Sequence, residues 1–139
     1  MVKQVYVHVS NKPGRVHAVM KTLAAAKVNA RSLFVADTGD VGIIRLIVDA
    51  PERAVAALKG GNFKVDTTDL IGFTVPDEPG GLCNVMKILG ENDINIKYSY
   101  SLMSRGSGAG IVIRVDDNDK AVQILTEAGV KLFSQGDLS

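Results

Sequence analysis

The sequence has a single cysteine, Cys83, and only two histidines, His8 and His17. One thiol cannot close an internal disulfide, and so few sulfur and imidazole ligands make no metal cluster. Neither a metal nor a cofactor is therefore expected. An excess of charge of one sign is missing too: 16 basic side chains balance 15 acidic ones, for a formal net charge of +1. That supplies no strong field for nucleic acid or an anionic membrane surface. Long hydrophobic runs are also lacking, and no apolar stretch approaches the roughly 20 residues that span a bilayer. The chain opens Met1-Val2-Lys3-Gln4-Val5-Tyr6-Val7-His8, an alternating strand pattern rather than a secretory signal. What remains is 46% hydrophobic and 22% charged over 139 residues, the composition of a soluble globular protein, expected in the cytoplasm.

The sequence repeats itself. Pro13-Gly14 recurs as Pro79-Gly80, and at the same spacing of 66 residues Val19, Met20, Lys21, Leu23 and Asn29 meet Val85, Met86, Lys87, Leu89 and Asn95. After a one-residue insertion the match resumes: Ile44, Asp49, Ala54 and Leu58 meet Ile111, Asp116, Ala121 and Leu125. A period this long suits two tandem domains rather than a solenoid. The boundary is expected near Thr67-Thr68-Asp69, giving domains 1–67 and 68–139 with almost no linker.

Each copy carries the same order of elements. Val5, Val7 and Val9 alternate with Tyr6 and His8, as Ile71, Phe73 and Val75 do in the second copy, which predicts strands with one buried face. Val16, Val19, Met20 and Leu23 follow helical spacing, as do Leu82, Val85, Met86 and Leu89. Second strands are expected over about Ala30–Asp37 and Ile96–Met103. Hairpin turns follow at Thr38-Gly39-Asp40 and Ser104-Arg105-Gly106-Ser107-Gly108. The most hydrophobic strands, Ile43–Val48 and Ile111–Val115, come next, then short helices bearing Ala54, Val55 and Leu58 or Ala121, Val122 and Leu125. Final strands centre on Phe63-Lys64-Val65 and Val130-Lys131-Leu132. The order is β-α-β-β-α-β twice, an α+β chain of two ferredoxin-like units. Units of some 66 residues bury only about 60% of their unfolded surface, so the copies should pack on each other. Ile43 and Ile47 make the third strand of copy one apolar on its second face also, which suggests cover from another copy of the chain, a homodimer.

The strand-to-helix turns carry the chemistry. They read Ser10-Asn11-Lys12-Pro13-Gly14-Arg15-Val16 and Pro76-Asp77-Glu78-Pro79-Gly80-Gly81-Leu82. Proline suits a helix opening, and glycine lets a ligand approach the free N–H groups of the first turn, where the helix dipole favours a carboxylate. Asn11 or Asp77 can accept from an ammonium group, and Asn29 and Asn95 add amides that donate and accept. Together they make a receptor for a zwitterion. The plainer alternative is that Asn11 and Asp77 cap the helices and Pro-Gly only turns the chain. Recurrence of the whole pattern, with an asparagine fifteen residues beyond glycine in both copies, favours binding. Lys12 and Arg15 flank the first turn, whereas Asp77 and Glu78 occupy the second and Gly81 replaces Arg15. The two pockets should be unequal, with Gly80, Gly81 and Leu82 forming the more open one and Arg15 obstructing the other.

These motifs resemble those of ACT domains, small βαββαβ modules that bind amino acids and regulate metabolic enzymes. The carriers are Asn11-x-Pro13-Gly14-x-Val16 with Val28-Asn29, and Asp77-x-Pro79-Gly80-x-Leu82 with Ile94-Asn95-Ile96. They are similar to the serine-binding regulatory domain of phosphoglycerate dehydrogenases, whose asparagines before Pro-Gly and at the second strand match Asn11, Asn29 and Asn95; a carboxylate replaces the amide at Asp77. The resemblance implies second strands paired edge to edge, the sheets of the two side-by-side domains merged into one of eight strands with helices on one face. It further implies ligands in the seam between one copy's turn and the other's second strand. The ligand-binding set is thus Asn11, Gly14, Arg15, Val16, Asn29, Asp77, Gly80, Gly81, Leu82 and Asn95. A free amino acid of roughly ten heavy atoms would gain about −5 to −8 kcal/mol, for dissociation constants from roughly a hundred micromolar to about one. The resemblance implies a regulator of a separate metabolic enzyme.

Three rivals stand beside that reading. An enzyme could use His17 and Cys83, which share a repeat position, but no third group orients them and no catalytic residue is assigned. Gly106-x-Gly108-x-Gly110 joins two strands rather than opening a helix, so it is a hairpin and not a phosphate loop. An RNA-binding βαββαβ module would need aromatic residues on its central strands, and the third strands contain none. An assembly module with a vestigial pocket is the third rival.

Overall fold

The computed structural model describes residues 1–37, 39–103 and 108–138. The expected turn residue Thr38 and most of the second hairpin, 104–107, lie outside the described residues. Among the described residues seven strands and four α-helices follow in the order β1 (Val2–Ser10), α1 (Arg15–Ala25), β2 (Ala30–Asp37), β3 (Val41–Val48), α2 (Pro51–Gly60), β4 (Lys64–Val75), α3 (Gly81–Glu91), β5 (Ile96–Ser101), β6 (Ala109–Val115), α4 (Asn118–Glu127) and β7 (Lys131–Phe133). A final 3-10 turn covers Gln135–Leu138. Two βαββαβ units need eight strands, and seven deliver them because β4 is continuous. Its twelve residues hold both the end of the first copy and the start of the second.

The chain divides into two compact units, one of residues 3–68 with Leu138, the other of residues 69–137 with Met1 and Val2. In the first, β3 pairs antiparallel with β1 on one side and β2 on the other, with Val7 opposite Ile44 and Leu33 opposite Leu46. In the second, β6 lies between β4 and β5, and β7 adds to the other edge of β4, so that Gly72 faces Val112 on one side and Phe133 on the other. β2 is an outer strand in the first unit and β5 in the second.

Period-two patterning places one core per unit. Val5, Val7, Ile44, Leu46 and Val48 from the sheet meet Val19, Leu23, Ala54 and Leu58 from the helices. Their repeat counterparts Ile71, Phe73, Ile111, Ile113 and Val115 meet Val85, Leu89, Ala121 and Leu125. The backbone repeats as closely as the side chains. Left-handed residues recur at Gly14 and Gly80 (both φ 89), at Lys27 (59) and Asp93 (57), and at Asn62 (63) and Gly129 (79). Each closes a corner between a helix and a strand where a right-handed residue would not turn the chain.

The second face of the first sheet departs from expectation. Gln4, Ile47 and Ser32 sit in one cross-strand row on the side away from the helices, and all three are buried. The chain itself covers this row, so Ile47 does not call for a second copy. Apolar exposure lies instead on the outer strand, at Leu33 (41%), Phe34 (42%) and Val35 (49%). Among the described residues no helix is long and apolar enough to cross a membrane.

Candidate functional site

The two strand-to-helix turns have the same backbone. Lys12 N–H donates to the Ser10 carbonyl at 2.9 Å and Arg15 N–H to the Lys12 carbonyl at 3.3 Å; in the second copy Glu78 donates to Pro76 at 2.9 Å and Gly81 to Glu78 at 3.1 Å. The left-handed Gly14 or Gly80 then feeds the helix, and neither helix start receives a side-chain cap. Asn11 and Asp77 therefore do not cap. The turn takes the Arg15 and Gly81 N–H groups, and the others of the first turn lie at the positive end of the dipole, where an anion is favoured.

The side chains of the two turns part company. Asn11 Nδ2 donates to Asp37 Oδ1 and to the Gly39 carbonyl, both at 3.0 Å, while Gly39 N–H donates to the same Asp37 oxygen at 2.8 Å. Asn11 thus ties its turn to the β2–β3 hairpin. Arg15 Nε donates to Ser10 Oγ at 3.0 Å. The Asp77 carboxylate has no hydrogen bond or ion pair among the described residues, and Asp77 and Glu78 are both exposed.

Asn29 and Asn95 open the second strands as expected, and a feature not foreseen fixes each of them. Asn29 N–H donates to Asp49 Oδ1 at 2.9 Å while Asp49 N–H returns to the Asn29 carbonyl at 3.1 Å. Asn95 and Asp116 repeat the clamp at 3.3 Å each way. The recurrence of Asp49 as Asp116 was the available signal. Both asparagine residues are exposed. Within one unit, however, they lie far from the turn. Val75 pairs with Ala109 and Ile96 with Val115, so the length of β6, roughly 20 Å at about 3.4 Å per residue, separates Asp77 from Asn95. The first unit has the same separation along β3.

A groove joins each turn to a loop that the sequence reading did not single out. In the second unit it has a volume of about 800 Å³ and runs from Asp77 and Gly81 past Asn84 to Gly129 and Lys131. In the first unit a groove of about 380 Å³ is lined by His8, Val9, Ser10, Arg15 and residues 61–64. Every residue lining the smaller groove has its repeat counterpart lining the larger one. The recurrence of Lys64 as Lys131 could have pointed to the loop. Gly81 is required where it stands, because a Cβ there would run into the Pro76 carbonyl oxygen. The larger groove sits where α3 begins and just beyond the end of α4, so one margin carries the positive end of a helix and the other the negative end of another. Asp77 and Lys131 add one charge of each sign. Such a margin can hold a small molecule with opposite charges at its ends.

Gly14 and Val16, and Gly80 and Leu82, lie at the turns, but neither pair lines its groove; Leu82 is 41% exposed. Cys83 is an exposed free thiol on α3, and neither it nor His17 has a hydrogen-bond partner among the described residues. No cluster of three metal-ligating side chains occurs among them either.

The fold and its paired turns define a class of protein: a tandem ferredoxin-like module. The chain belongs to the ACT domain pair family, whose model matches residues 1–139. A protein from Bacteroides thetaiotaomicron is 36% identical, with a TM-score of 0.93 over 99% of this chain and 94% of that one. The ligand-free regulatory subunit of aspartate kinase from Thermus thermophilus shares the fold at 13% identity, TM-score 0.67, over 91% and 92% of the two chains. The aspartate kinase of Clostridium acetobutylicum does so at 14% identity, TM-score 0.52, over 91% of this chain and 33% of that one. No curated protein matches.

Proposed function

We propose that this protein binds a free amino acid and regulates a separate metabolic enzyme. The observation that carries the reading is the second unit's groove, which brings together the start of α3, an Asp77 carboxylate with no hydrogen bond or ion pair among the described residues, and the ammonium of Lys131. In this reading Gly81, which lines the groove between Gly80 and Leu82, brings the α3 N-terminus to the ligand carboxylate, and Asp77 accepts from its ammonium group. Membership of the ACT family and a fold shared with a regulatory subunit support regulation rather than catalysis. Asn29 and Asn95 lie too far from their own turns to share a ligand with them. A ligand that touches both a turn and an asparagine takes them from two different copies, of one chain or of two. Asn11, Gly14, Arg15 and Val16 hold the corresponding turn of the first copy, which Arg15 obstructs.

A thermal-shift screen of the twenty amino acids tests this directly. Ligand at a hundred times its dissociation constant stabilises by about 2.7 kcal/mol, a shift of several degrees. One or a few amino acids should raise the melting temperature; silence from all twenty would sink the reading and favour an assembly module. A second copy of the chain is part of the same proposal, because outer strand β2 exposes consecutive apolar residues. Sedimentation should give a dimer at micromolar concentration, and a monomer would remove that part.

A further inference from the structure

The two grooves have the same walls and different contents. The first is about 380 Å³ against about 800 Å³, and the second is lined in addition by Asp77, Asn84, Val85 and Gly108. Two substitutions between the copies fall on the lining that the grooves share. Arg15 stands where the second copy has Gly81, and its Nε–H is bonded to Ser10 Oγ at 3.0 Å, joining two residues of the groove wall. Phe63 stands where the second copy has Val130, and its ring lies 3.3 Å from where a Cβ on Gly61 would be. The first turn is further tied by Asn11 to Asp37 and Gly39, bonds that a ligand would have to compete with.

We propose that Arg15, with Phe63 behind it, closes the first groove. The duplication has then produced one receptor groove and one structural groove, and each chain takes one amino acid there. The stoichiometry rests on the function proposed above; the closure does not. Closure is tested without ligand in a Cys83→Ser background, using Asn84→Cys and its counterpart Ala18→Cys and an aromatic disulfide reagent. The Asn84→Cys thiol should react at least tenfold faster than the Ala18→Cys thiol. Adding Arg15→Gly should speed the Ala18→Cys reaction at least fivefold while leaving the Asn84→Cys rate in the other copy unchanged, with only the small drop in the urea midpoint that an exposed helix glycine brings. Ser10→Ala, which removes only the acceptor, should give a smaller rise. Equal rates in the parent pair, or no acceleration on Arg15→Gly, would overturn the closure. Calorimetry with each of the twenty free amino acids then counts sites. One site in the parent and two in Arg15→Gly supports the proposal, and two in the parent overturns it. Reactivity as expected with no amino acid bound would leave closure standing and remove the amino-acid reading.

Discussion

The first and second copies fold on the same backbone and spend their turns differently. In the first, Asn11 holds the hairpin and Arg15 holds Ser10, so the polar groups are satisfied internally. In the second, the carboxylate of Asp77 and the start of α3 have no such partners among the described residues. Polar groups satisfied within the protein contribute to stability, whereas those left for solvent can be exchanged for a ligand. A tandem repeat allows this difference because both copies supply the shared architecture while their turns carry different side chains.

The comparison can be broken first at its cores, which should be equivalent in place but not in size. Val7 and Phe73 share a repeat position and are both fully buried. Phe73→Ala should cost about 3–5 kcal/mol, and Val7→Ala about 2 kcal/mol, read from urea unfolding monitored in both units. Equal costs would mean that the second core relaxes into the space.

At the turns the expected effects are smaller and opposite in kind. Asp77→Ala should weaken amino-acid binding by about 1.5–3 kcal/mol, the worth of a hydrogen bond to a charged group, and leave the unfolding midpoint nearly unchanged. Asn11→Ala should lower stability by about 1 kcal/mol as its two exposed bonds are lost, with little change in binding. Calorimetry and denaturation on the same two variants decide. If Asn11→Ala is the one that harms binding, the assignment of receptor and structural copies is reversed.

Much of this was legible in the chain. The two periods, 2 for strands and 3.6 for helices, placed β2 at Ala30–Asp37 and located both cores, because burial of one face depends on local spacing alone. The 66-residue recurrence identified the turns. Three features escaped for related reasons. The fusion of two strands into β4 is a matter of continuous backbone pairing, and no residue between Lys64 and Val75 marks it. The burial of Gln4 and Ser32 depends on what covers their face, and their polarity argued for solvent. The helix-to-strand loops at 61–64 and 128–131 carry no motif, and only folding brings them beside the turns.

By itself, then, the order of residues determined the duplicated βαββαβ plan and the pair of glycine-opened helix starts, since both follow from short-range periodicity and from the backbone freedom of glycine. Which Asx residue is tied to a distant hairpin, and which helix-to-strand loops line the grooves, were decided only in three dimensions. Those outcomes turn on a few ångströms between side chains far apart in sequence, such as Asn11 and Asp37, and no local pattern encodes that distance.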